Sequence, residues 1–373
     1  MIRYLRLQNF KCFADQQLTI KPLTLLSGLN GMGKSTVLQS LLALRQSHHQ
    51  GLLEEIGLAL NGELVHLGTA QDALYEWALE NRIGFYLGGD NDAEANWIFN
   101  YNPKADVLPI ASSSAPAKFL KTSLFGDDFH YLQAERIGPR ASFEISDYFV
   151  RQHRQLGTRG EYTAHFLSVF EREEIPHHAL SHPRAESLRL RDQVEAWIGE
   201  VSPGTRLHIN QHLGLDLVSL AFSFVTEHQV SNHYRSTNVG FGITYTLPIL
   251  VSILSSSQGA LILLENPEAH LHPRGQARMG RLLALAASCG VQVIVETHSD
   301  HVLNGIRLAV HAGEIKPEDV SLNYFERLIS DKQVLHGVVT PRLDRNGRID
   351  YWPEGFFDEF DKNLAELLAP VGE

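Results

Sequence analysis

The segment GLNGMGKST, Gly28 to Thr36, constrains the fold of this chain more than any other feature of its sequence. PLTLLS before it has the pattern of a buried strand, and VLQSLLALRQS after it has the pattern of a helix. In that order, backbone N–H groups of a glycine-rich loop surround phosphate oxygens, a lysine reaches the terminal phosphates and a serine hydroxyl reaches Mg²⁺. A glycine-rich surface turn is the alternative. The predicted nucleotide-binding residues are Asn30, Gly31, Gly33, Lys34, Ser35 and Thr36, with Ser35 also a metal ligand.

Three apolar segments in the C-terminal third predict the rest of the core. FGITYTLPILVSILSS predicts a buried helix, ALILLE a buried strand, and VQVIVETHSD a second strand that ends in polar residues. Such strands are typical of parallel sheets, so we expect an α/β fold with a mostly parallel core sheet. Glu265, after LILL, is predicted to end a strand beside the P-loop strand and to hold Mg²⁺ directly or through water. His298 closes the next strand and is predicted to contact the γ-phosphate through one hydrogen bond.

Four segments together resemble a known family: NFKCF, GLNGMGKST, ENPEAHLHP and ETHSD. They are similar to the ATP-binding cassette (ABC) branch of P-loop ATPases, in particular to the heads of RecF, SMC proteins and the overcoming-lysogenization-defect (OLD) family. The resemblance implies an ABC-type head with an antiparallel β extension and an inserted helical lobe. It also implies ATP and Mg²⁺ as cofactors, and a homodimer or higher homo-oligomer in which two heads enclose two ATP molecules.

The resemblance further assigns residues that face the partner or the metal. The signature-like segment NVGFGITY, Asn238 to Tyr245, would offer N–H groups near Gly240 and Gly242 to the partner's γ-phosphate. It departs from the LSGGQ pattern of transporters, and a glycine bend before a buried helix is the alternative. A glutamine that links Mg²⁺ to the inserted lobe is expected at Gln71 or, as a second choice, at Gln133.

The segment ENPE differs from many relatives, which carry a second acid where this chain has Asn266. An amide can orient water but cannot accept a proton as a carboxylate does, and general-base help contributes roughly 100-fold or more. We therefore expect slow hydrolysis unless Glu268 acts as the base. Glu268 is alternatively a helix N-terminal acid or a dimer contact. His270 and His272 are expected to be contact residues, with a structural metal site as the alternative.

The remaining chain is expected to form a compact lobe and a small C-terminal domain. LVHLG, RIGFYLGG and NWIFNYN predict an antiparallel extension, ADVLPIASSSAPAK a loop, and residues 143–200 a helical, mixed-charge region. The predicted domains are 1–135, the N-terminal part of the head; 136–205, the inserted lobe; 206–312, the C-terminal part of the head; and 313–373, a domain of unknown function. This tail resembles the one found on short OLD-like ATPases, and we expect no toprim nuclease domain in it.

Composition limits the partners and the compartment. The net charge of -11 gives no bulk attraction to nucleic acid, so DNA binding would need a local patch. The candidates for that patch are arginines that lie among acids and histidines: Arg136, Arg140, Arg151, Arg154, Arg159, Arg184, Arg189 and Arg191. Cys12 and Cys289 suggest neither a disulfide framework nor a zinc site. No secretory signal and no membrane-spanning run is evident, so a cytoplasmic location is expected.

The family resemblance implies a dimeric Mg-ATP switch that controls a separately encoded effector. Because the chain also resembles the ATPases of prokaryotic antiphage systems, such as Septu-like modules, the expected effector is a nuclease. A RecF-like DNA-repair ATPase that clamps duplex DNA is the first alternative. The second is a non-hydrolysing scaffold held together by ATP, which Asn266 favours, whereas Lys34, Ser35, Glu265 and His298 oppose it. A transporter ATPase is disfavoured because the chain lacks LSGGQ.

Overall fold

The computed structural model describes residues 1–226, 229–330 and 333–369. The chain divides into two compact units. One unit, here called the P-loop unit, comprises Ile2–Ala115, Glu296–Asp300 and Lys316–Glu373. The other, here called the ENPE unit, comprises Met1, Pro116–Val295 and His301–Ile315. Within the described ranges, no helix is both long enough and apolar enough to cross a membrane.

The described part of the chain contains strands and α-helices in an interleaved order. The strands are β1 (Ile2–Phe10), β2 (Phe13–Thr19), β3 (Leu23–Gly28), β4 (Gly57–Ala59), β5 (Arg82–Gly89), β6 (Glu94–Asn100), β7 (Val107–Ser114), β8 (Phe129–Leu132), β9 (Phe143–Glu144), β10 (Thr205–His212), β11 (Leu217–Phe224), β12 (Tyr234–Arg235), β13 (Leu261–Glu265), β14 (Gln292–Glu296), β15 (Val320–Ser330) and β16 (Gln333–Val339). The helices are α1 (Lys34–His49), α2 (Ala70–Ala73), α3 (Thr163–Phe170), α4 (Leu190–Ile198), α5 (Phe241–Ser255), α6 (Pro273–Ser288), α7 (Asp300–His311) and α8 (Glu359–Leu368).

The P-loop unit contains the predicted antiparallel extension, a six-stranded sheet in the order β2-β1-β5-β6-β7-β4. Alternating apolar residues face its core, where the rings of Phe10 and Phe85 meet edge to face with centroids 4.8 Å apart. In the same unit, β3 pairs in parallel with β15, and β15 pairs antiparallel with β16. The parallel pair fixes the start of the P-loop at the carboxyl end of β3.

Two predictions for this sheet are wrong. LVHLG forms no strand, only an isolated bridge between Asn61 and His66. ADVLPIASSSAPAK is not a loop throughout, because Val107–Ser114 forms β7 between β6 and β4. The three serines of β7 lie opposite Asn96–Ile98 of β6 and are exposed. The backbone ladder of β6 therefore holds the second half of β7, whose consecutive exposed serines and preceding proline hide the strand in the sequence.

The ENPE unit combines the strand pair β8 and β13, which run in parallel, with a lobe that has its own sheet. In this lobe β10, β11 and β12 are consecutive neighbours and β9 pairs with β11. The predicted helices are present as α3 and α4, but the strands β10 and β11 beyond them were not predicted. The buried helix α5 and the strands β13 and β14 are confirmed. The predicted α/β class, with parallel strands in the core, is correct.

Candidate functional site

The P-loop follows β3 and requires glycine at particular positions. Gly28, Gly31 and Gly33 have φ angles of 137°, 77° and 104°, which L-residues with a side chain rarely adopt. A Cβ on Gly28 would lie 2.4 Å from the carbonyl oxygen of Phe325, and one on Gly33 would lie 2.6 Å from the ring of Phe13. Neighbouring backbone and aromatic groups therefore enforce the loop path, which leads directly into α1 at Lys34.

Lys34 and Ser35 meet an acid that the sequence analysis missed, Glu296. The Ser35 hydroxyl donates to Oε2 of Glu296 at 2.9 Å, and Nζ of Lys34 lies 3.8 Å from Oε1. Nζ of Lys34 also donates to the carbonyl oxygens of Gly28 and Leu29, at 2.9 Å each. Burial lowers the pKa of Lys34, while the charge of Glu296 acts to raise it. The lysine and the acid are thus held in one buried cluster at the start of α1.

Glu296 ends β14, and the chain then continues beside the P-loop strand. The backbone N–H of Thr297 donates to the carbonyl oxygen of Leu26 in β3 at 3.1 Å. His298 follows and is exposed. The signal for Glu296 was present in the sequence, because the carboxyl end of a buried strand is where ligands bind in open α/β sheets. The prediction from the sequence names only His298 at that end.

A cleft of about 600 Å³ opens on the P-loop. It contains the predicted residues Asn30, Gly31, Gly33, Lys34, Ser35 and Thr36, and also Lys11, Cys12, Gln39, Asp72, Leu74, Tyr75, Glu76, Trp77, Glu296, Arg327 and His336. The rings of Tyr75 and Trp77 meet edge to face with centroids 5.6 Å apart. Trp77 is 45% exposed, so part of its ring is free of protein contact. Basic groups and an aromatic surface in one cleft suit a nucleotide. No motif in the sequence predicted that Trp77 belongs to this cleft.

The two glutamines expected near magnesium lie in different units. Gln71 is exposed on the short helix α2 and does not line the cleft, whereas its neighbour Asp72 and Gln39 do. The metal-linking role of Gln71 stays a prediction. Gln133 lies in the ENPE unit, where its backbone N–H donates to the carbonyl oxygen of Thr158.

The ENPE turn, Glu265–His270, follows β13 in the ENPE unit. Oε1 of Glu265 accepts a hydrogen bond from the hydroxyl of Tyr131 at 2.9 Å, and Oε2 accepts one from the N–H of Ala134 at 3.1 Å. Asn266 and His270 have φ angles of 44° and 62°, in the left-handed region. Glu268 is half-buried, and its carbonyl oxygen accepts from the N–H of Leu271. The catalytic and metal roles of Glu265, Asn266 and Glu268 stay predictions.

The two histidines after the turn have structural contacts. The ring of His270 packs on Phe241 and Tyr245, with centroids 5.4 Å and 4.5 Å away. Nδ1 of His272 accepts from the N–H of Arg274 at 3.3 Å and caps α6. One of the predicted DNA contacts is wrong, because Arg136 is only 1% exposed and its guanidinium bonds to carbonyl oxygens of the protein.

The signature-like segment forms the start of α5. Gly240 is its N-cap, and a Cβ there would have open space around it. Phe241, the first helical residue, is 54% exposed. By contrast, a Cβ on Gly242 would lie 2.7 Å from the carbonyl oxygen of His270. The helix start is thus open on one side and packed against the ENPE turn on the other, and its contact with a partner's nucleotide stays a prediction.

Solved structures of SMC heads are similar to this chain. The SMC head bound to the C-terminal winged-helix domain of ScpA is 13% identical, with a TM-score of 0.54 over 91% of this chain and 98% of that chain. The SMC head domain from Thermotoga maritima (12% identity, 91% and 98% coverage) and an SMC head with extended coiled coil from Pyrococcus furiosus (12%, 99% and 99%) score 0.46 and 0.49. The first likeness supports the ABC-type fold. A search of curated protein sequences gave no match.

Two family profiles match the sequence. A protein of unknown function, DUF3696, matches residues 315–367. The other profile matches residues 23–304, well over half of the chain, and includes the P-loop, the signature-like segment, the ENPE turn and His298. The chain therefore belongs to the P-loop ATPase family described as "AAA domain, putative AbiEii toxin, Type IV TA system".

Proposed function

We propose that this protein is an ATPase switch that binds Mg-ATP in the cleft of the P-loop unit. The cluster of Lys34, Ser35 and Glu296 carries the proposal, because it combines a phosphate-binding cation with hydroxyl and carboxylate oxygens in the same cleft. Hard oxygen ligands are those that Mg²⁺ prefers. Ser35 and Glu296 would therefore hold the metal, and Lys34 the terminal phosphates. Glu265 is retained as the predicted alternative acid for Mg²⁺.

Hydrolysis is proposed to be slow. Asn266 cannot accept a proton, and Glu268 is the candidate base. His298 is proposed to contact the γ-phosphate. It is exposed and directly follows Thr297, whose N–H donates to β3. Together these assignments describe an enzyme that keeps ATP bound for much of its cycle, which suits a switch.

We propose that two chains engage through the start of α5, with Gly240 and Gly242 contributing N–H groups to the partner's nucleotide. The exposed Phe241 and the open space at Gly240 support this contact. A separately encoded effector, a nuclease in an antiphage system, is the proposed target, on the resemblance to OLD-like ATPases. The similar SMC head is bound to a domain of another protein, ScpA, and this supports a protein partner.

The alternative of a DNA clamp is less well supported by the arginines that suggested it. Arg151, Arg154, Arg159, Arg184 and Arg191 each form an ion pair with an acid of the ENPE unit. Those charges are partly neutralised, and phosphate binding would have to compete with the acids. A non-hydrolysing scaffold remains the second alternative, and measured turnover distinguishes it from the switch.

The test compares Lys34→Ala with Lys118→Ala, which removes an exposed lysine of the other unit. Binding of ATP is measured by calorimetry with Mg²⁺, and turnover by phosphate release. Lys34→Ala should weaken ATP binding by about 100-fold or more, since the buried ammonium is lost, while Lys118→Ala should match the native chain. Equal ATP binding by Lys34→Ala and the native chain would refute the proposed site.

A further inference from the structure

Arg136 is a buried cation that binds backbone carbonyl oxygens. It follows β8 and is 1% exposed. Nε donates to the carbonyl oxygen of Tyr245 at 3.1 Å, Nη1 to those of Gln133 and Glu265 at 3.1 Å and 2.7 Å, and Nη2 to that of Asn266 at 2.7 Å. We call Arg136 and these four acceptors the carbonyl clamp. A planar guanidinium can donate in several fixed directions at once, which an ammonium cannot reproduce.

The clamp joins segments that are far apart in the sequence. Tyr245 lies in the first turns of α5, whereas Glu265 and Asn266 begin the ENPE turn. The guanidinium also lies over the ring of Tyr245, with Cζ 5.5 Å from the ring centroid. The signature-like segment and the turn thus share one buried donor, so neither can shift by much without losing hydrogen bonds to it.

A second set of contacts links the same two segments. The ring of His270 packs against Phe241 and Tyr245. Gly242 approaches the carbonyl oxygen of His270 so closely that a Cβ would lie 2.7 Å away. Because these contacts join the far end of the turn to the exposed first turn of α5, the turn is attached to this helix at both of its ends.

The turn needs such support because its backbone is strained. Asn266 and His270 both adopt left-handed φ angles, which Asn and His adopt more often than other residues with a side chain but which still cost free energy unless neighbouring groups hold them. Within the turn, the N–H of Ala269 donates to the carbonyl oxygen of Asn266 at 3.2 Å, and that of Leu271 to the carbonyl oxygen of Glu268 at 3.0 Å. These two amides report whether the turn is closed.

The charge of Arg136 also bears on Glu268. Burial lowers the pKa of Arg136 to about 10, although the charges of Glu268, Tyr245 and Glu265 act to raise it. At neutral pH the guanidinium is therefore charged and attracts the carboxylate that we propose as the base. The carbonyl oxygens accept four hydrogen bonds from it without neutralising it, since no carboxylate oxygen is among its hydrogen-bond acceptors in the described residues.

We propose that Arg136 is a positioning residue that couples the start of α5 to the ENPE turn. A contact made at the exposed first turn of α5 then sets the backbone that carries Asn266 and Glu268. The ligand that would use this coupling is the nucleotide bound by a second copy of the chain. The expected effect of this coupling on turnover rests on the proposed function. The coupling itself can be measured without turnover.

The first test is hydrogen exchange in the full chain, comparing Arg136→Lys with Arg172→Lys, which changes an exposed arginine of the same unit. The lysine keeps the charge but cannot bind four carbonyl oxygens. Exchange should rise by about tenfold or more in both segments, 241–247 and 266–271, and stay native in Arg172→Lys. A rise in only one segment, or in neither, would overturn the coupling. If Arg136→Lys does not fold, His270→Asn, which tolerates the left-handed backbone and removes the ring contact, provides the same comparison.

The second test is kinetic. Arg136→Lys should bind ATP within about twofold of the native chain, because the substitution leaves the cleft unchanged. It should lower kcat by about tenfold or more, because the ENPE turn loses its hydrogen bonds to the guanidinium. Combined with His270→Asn, its effect on kcat should be less than additive, since both changes release the same turn. Additive effects would indicate two unrelated structural defects and would contradict the proposal. A native chain without turnover would refute the proposed hydrolysis, while the exchange result would still decide the coupling.

Discussion

The backbone conformation at Asn266 favours a short polar side chain. Its φ of 44° places it in the left-handed region, where Asn and Asp are several-fold more frequent than other residues with a side chain. Its carbonyl oxygen is held by Arg136 at 2.7 Å. A glutamate would fit this backbone less well, so the loss of a second acid at this position is coupled to the shape of the turn.

Glu296 is the residue whose substitution best tests the metal site. In Glu296→Gln the side chain keeps its size but loses its negative charge, and a neutral amide replaces the carboxylate that Ser35 and Lys34 contact. The variant should therefore bind Mg²⁺ poorly. We expect turnover to fall by about tenfold or more, and the advantage of Mg-ATP over metal-free ATP in binding to shrink. Calorimetry with ATP, with and without Mg²⁺, measures this directly.

Glu318→Gln is the matched control, because Glu318 is an exposed acid of the same unit. If Glu296→Gln retains the native Mg²⁺ dependence, the metal is held elsewhere, and Glu265→Gln should then lose it. This comparison decides between the acid identified from the cleft and the one predicted from the sequence.

Trp77 is predicted to bind the base of the nucleotide. Its half-exposed ring lies in the cleft with the P-loop, and stacking of a base on an aromatic ring contributes about 1–3 kcal/mol. Trp77→Ala should therefore weaken ATP binding by about tenfold and leave the binding of inorganic tripolyphosphate unchanged, since only ATP has a base. Trp352→Ala, at another partly exposed tryptophan, is the control. Equal losses for both ligands would mean that Trp77 shapes the phosphate site instead.

At this scale the sequence predicted what is local and missed what is spatial. The P-loop residues lie next to one another in the chain, and their spacing alone marks the site. Glu296 and Trp77 reach the same cleft from segments far from Gly28–Thr36, and only the folded chain brings them together. Gln71 illustrates the reverse case, since its side chain lies outside the cleft that its neighbour Asp72 lines.

At the scale of the elements, strands with an apolar face were predictable and polar ones were not. β13 and β14 are nearly uniform apolar runs, and their predicted positions are correct. β7 and β10 carry serine, histidine and asparagine, so their pairing with β6 and β11 decides their structure. Side-chain clusters that join elements are equally hard to predict from the sequence, and the ion-pair cluster around Glu200 is the clearest example.

Glu200 lies just after α4 and ties it to α6. It pairs with Arg184, with Nε of Arg278 at 3.3 Å and with Nε2 of His182 at 3.2 Å, and its side chain is only 10% exposed. Burial acts to raise the pKa of Glu200, but the bond from His182 and the charges of Arg278 and Arg184 lower it below the usual value. A carboxyl group with a lowered pKa stabilises the fold above its unfolded pKa, near 4.3, and this stabilisation is lost as pH falls through the folded value.

Glu200→Gln should therefore destabilise the protein most at neutral pH. Breaking this buried cluster should cost about 2 kcal/mol or more at pH 7.5, and the difference from the native chain should shrink toward pH 4. Thermal unfolding at several pH values measures both. Glu174→Gln, at an exposed glutamate of the same unit, should melt like the native chain. A difference that does not change with pH would show that packing, and not charge, accounts for the effect of Glu200.

At the scale of the whole molecule, the two matched profiles divide the chain near its C-terminal end, at residues 304 and 315. The ATPase class could be predicted from four short segments, because their residue types and spacing are those of a nucleotide-binding site in a P-loop fold. The sheet of β9 to β12 carries no such motif, and its antiparallel pairing was therefore beyond prediction from pattern. The proposed dimer depends on surfaces rather than on the core, so it has to be tested in solution.

The last prediction concerns assembly and turnover together. If Glu268 is the base, Glu268→Gln should bind Mg-ATP normally, lose turnover by about 100-fold and accumulate as an ATP-bound dimer, because hydrolysis no longer releases the two heads. Light scattering with ATP and with ADP measures the dimer, and phosphate release with and without duplex DNA measures turnover. Glu135→Gln, an exposed acid of the same unit, is the control. Unchanged turnover in Glu268→Gln would remove Glu268 from the mechanism. Strong stimulation of turnover by duplex DNA would favour the RecF-like DNA-repair ATPase over the effector switch, since only the DNA-repair ATPase is expected to bind DNA as part of its cycle.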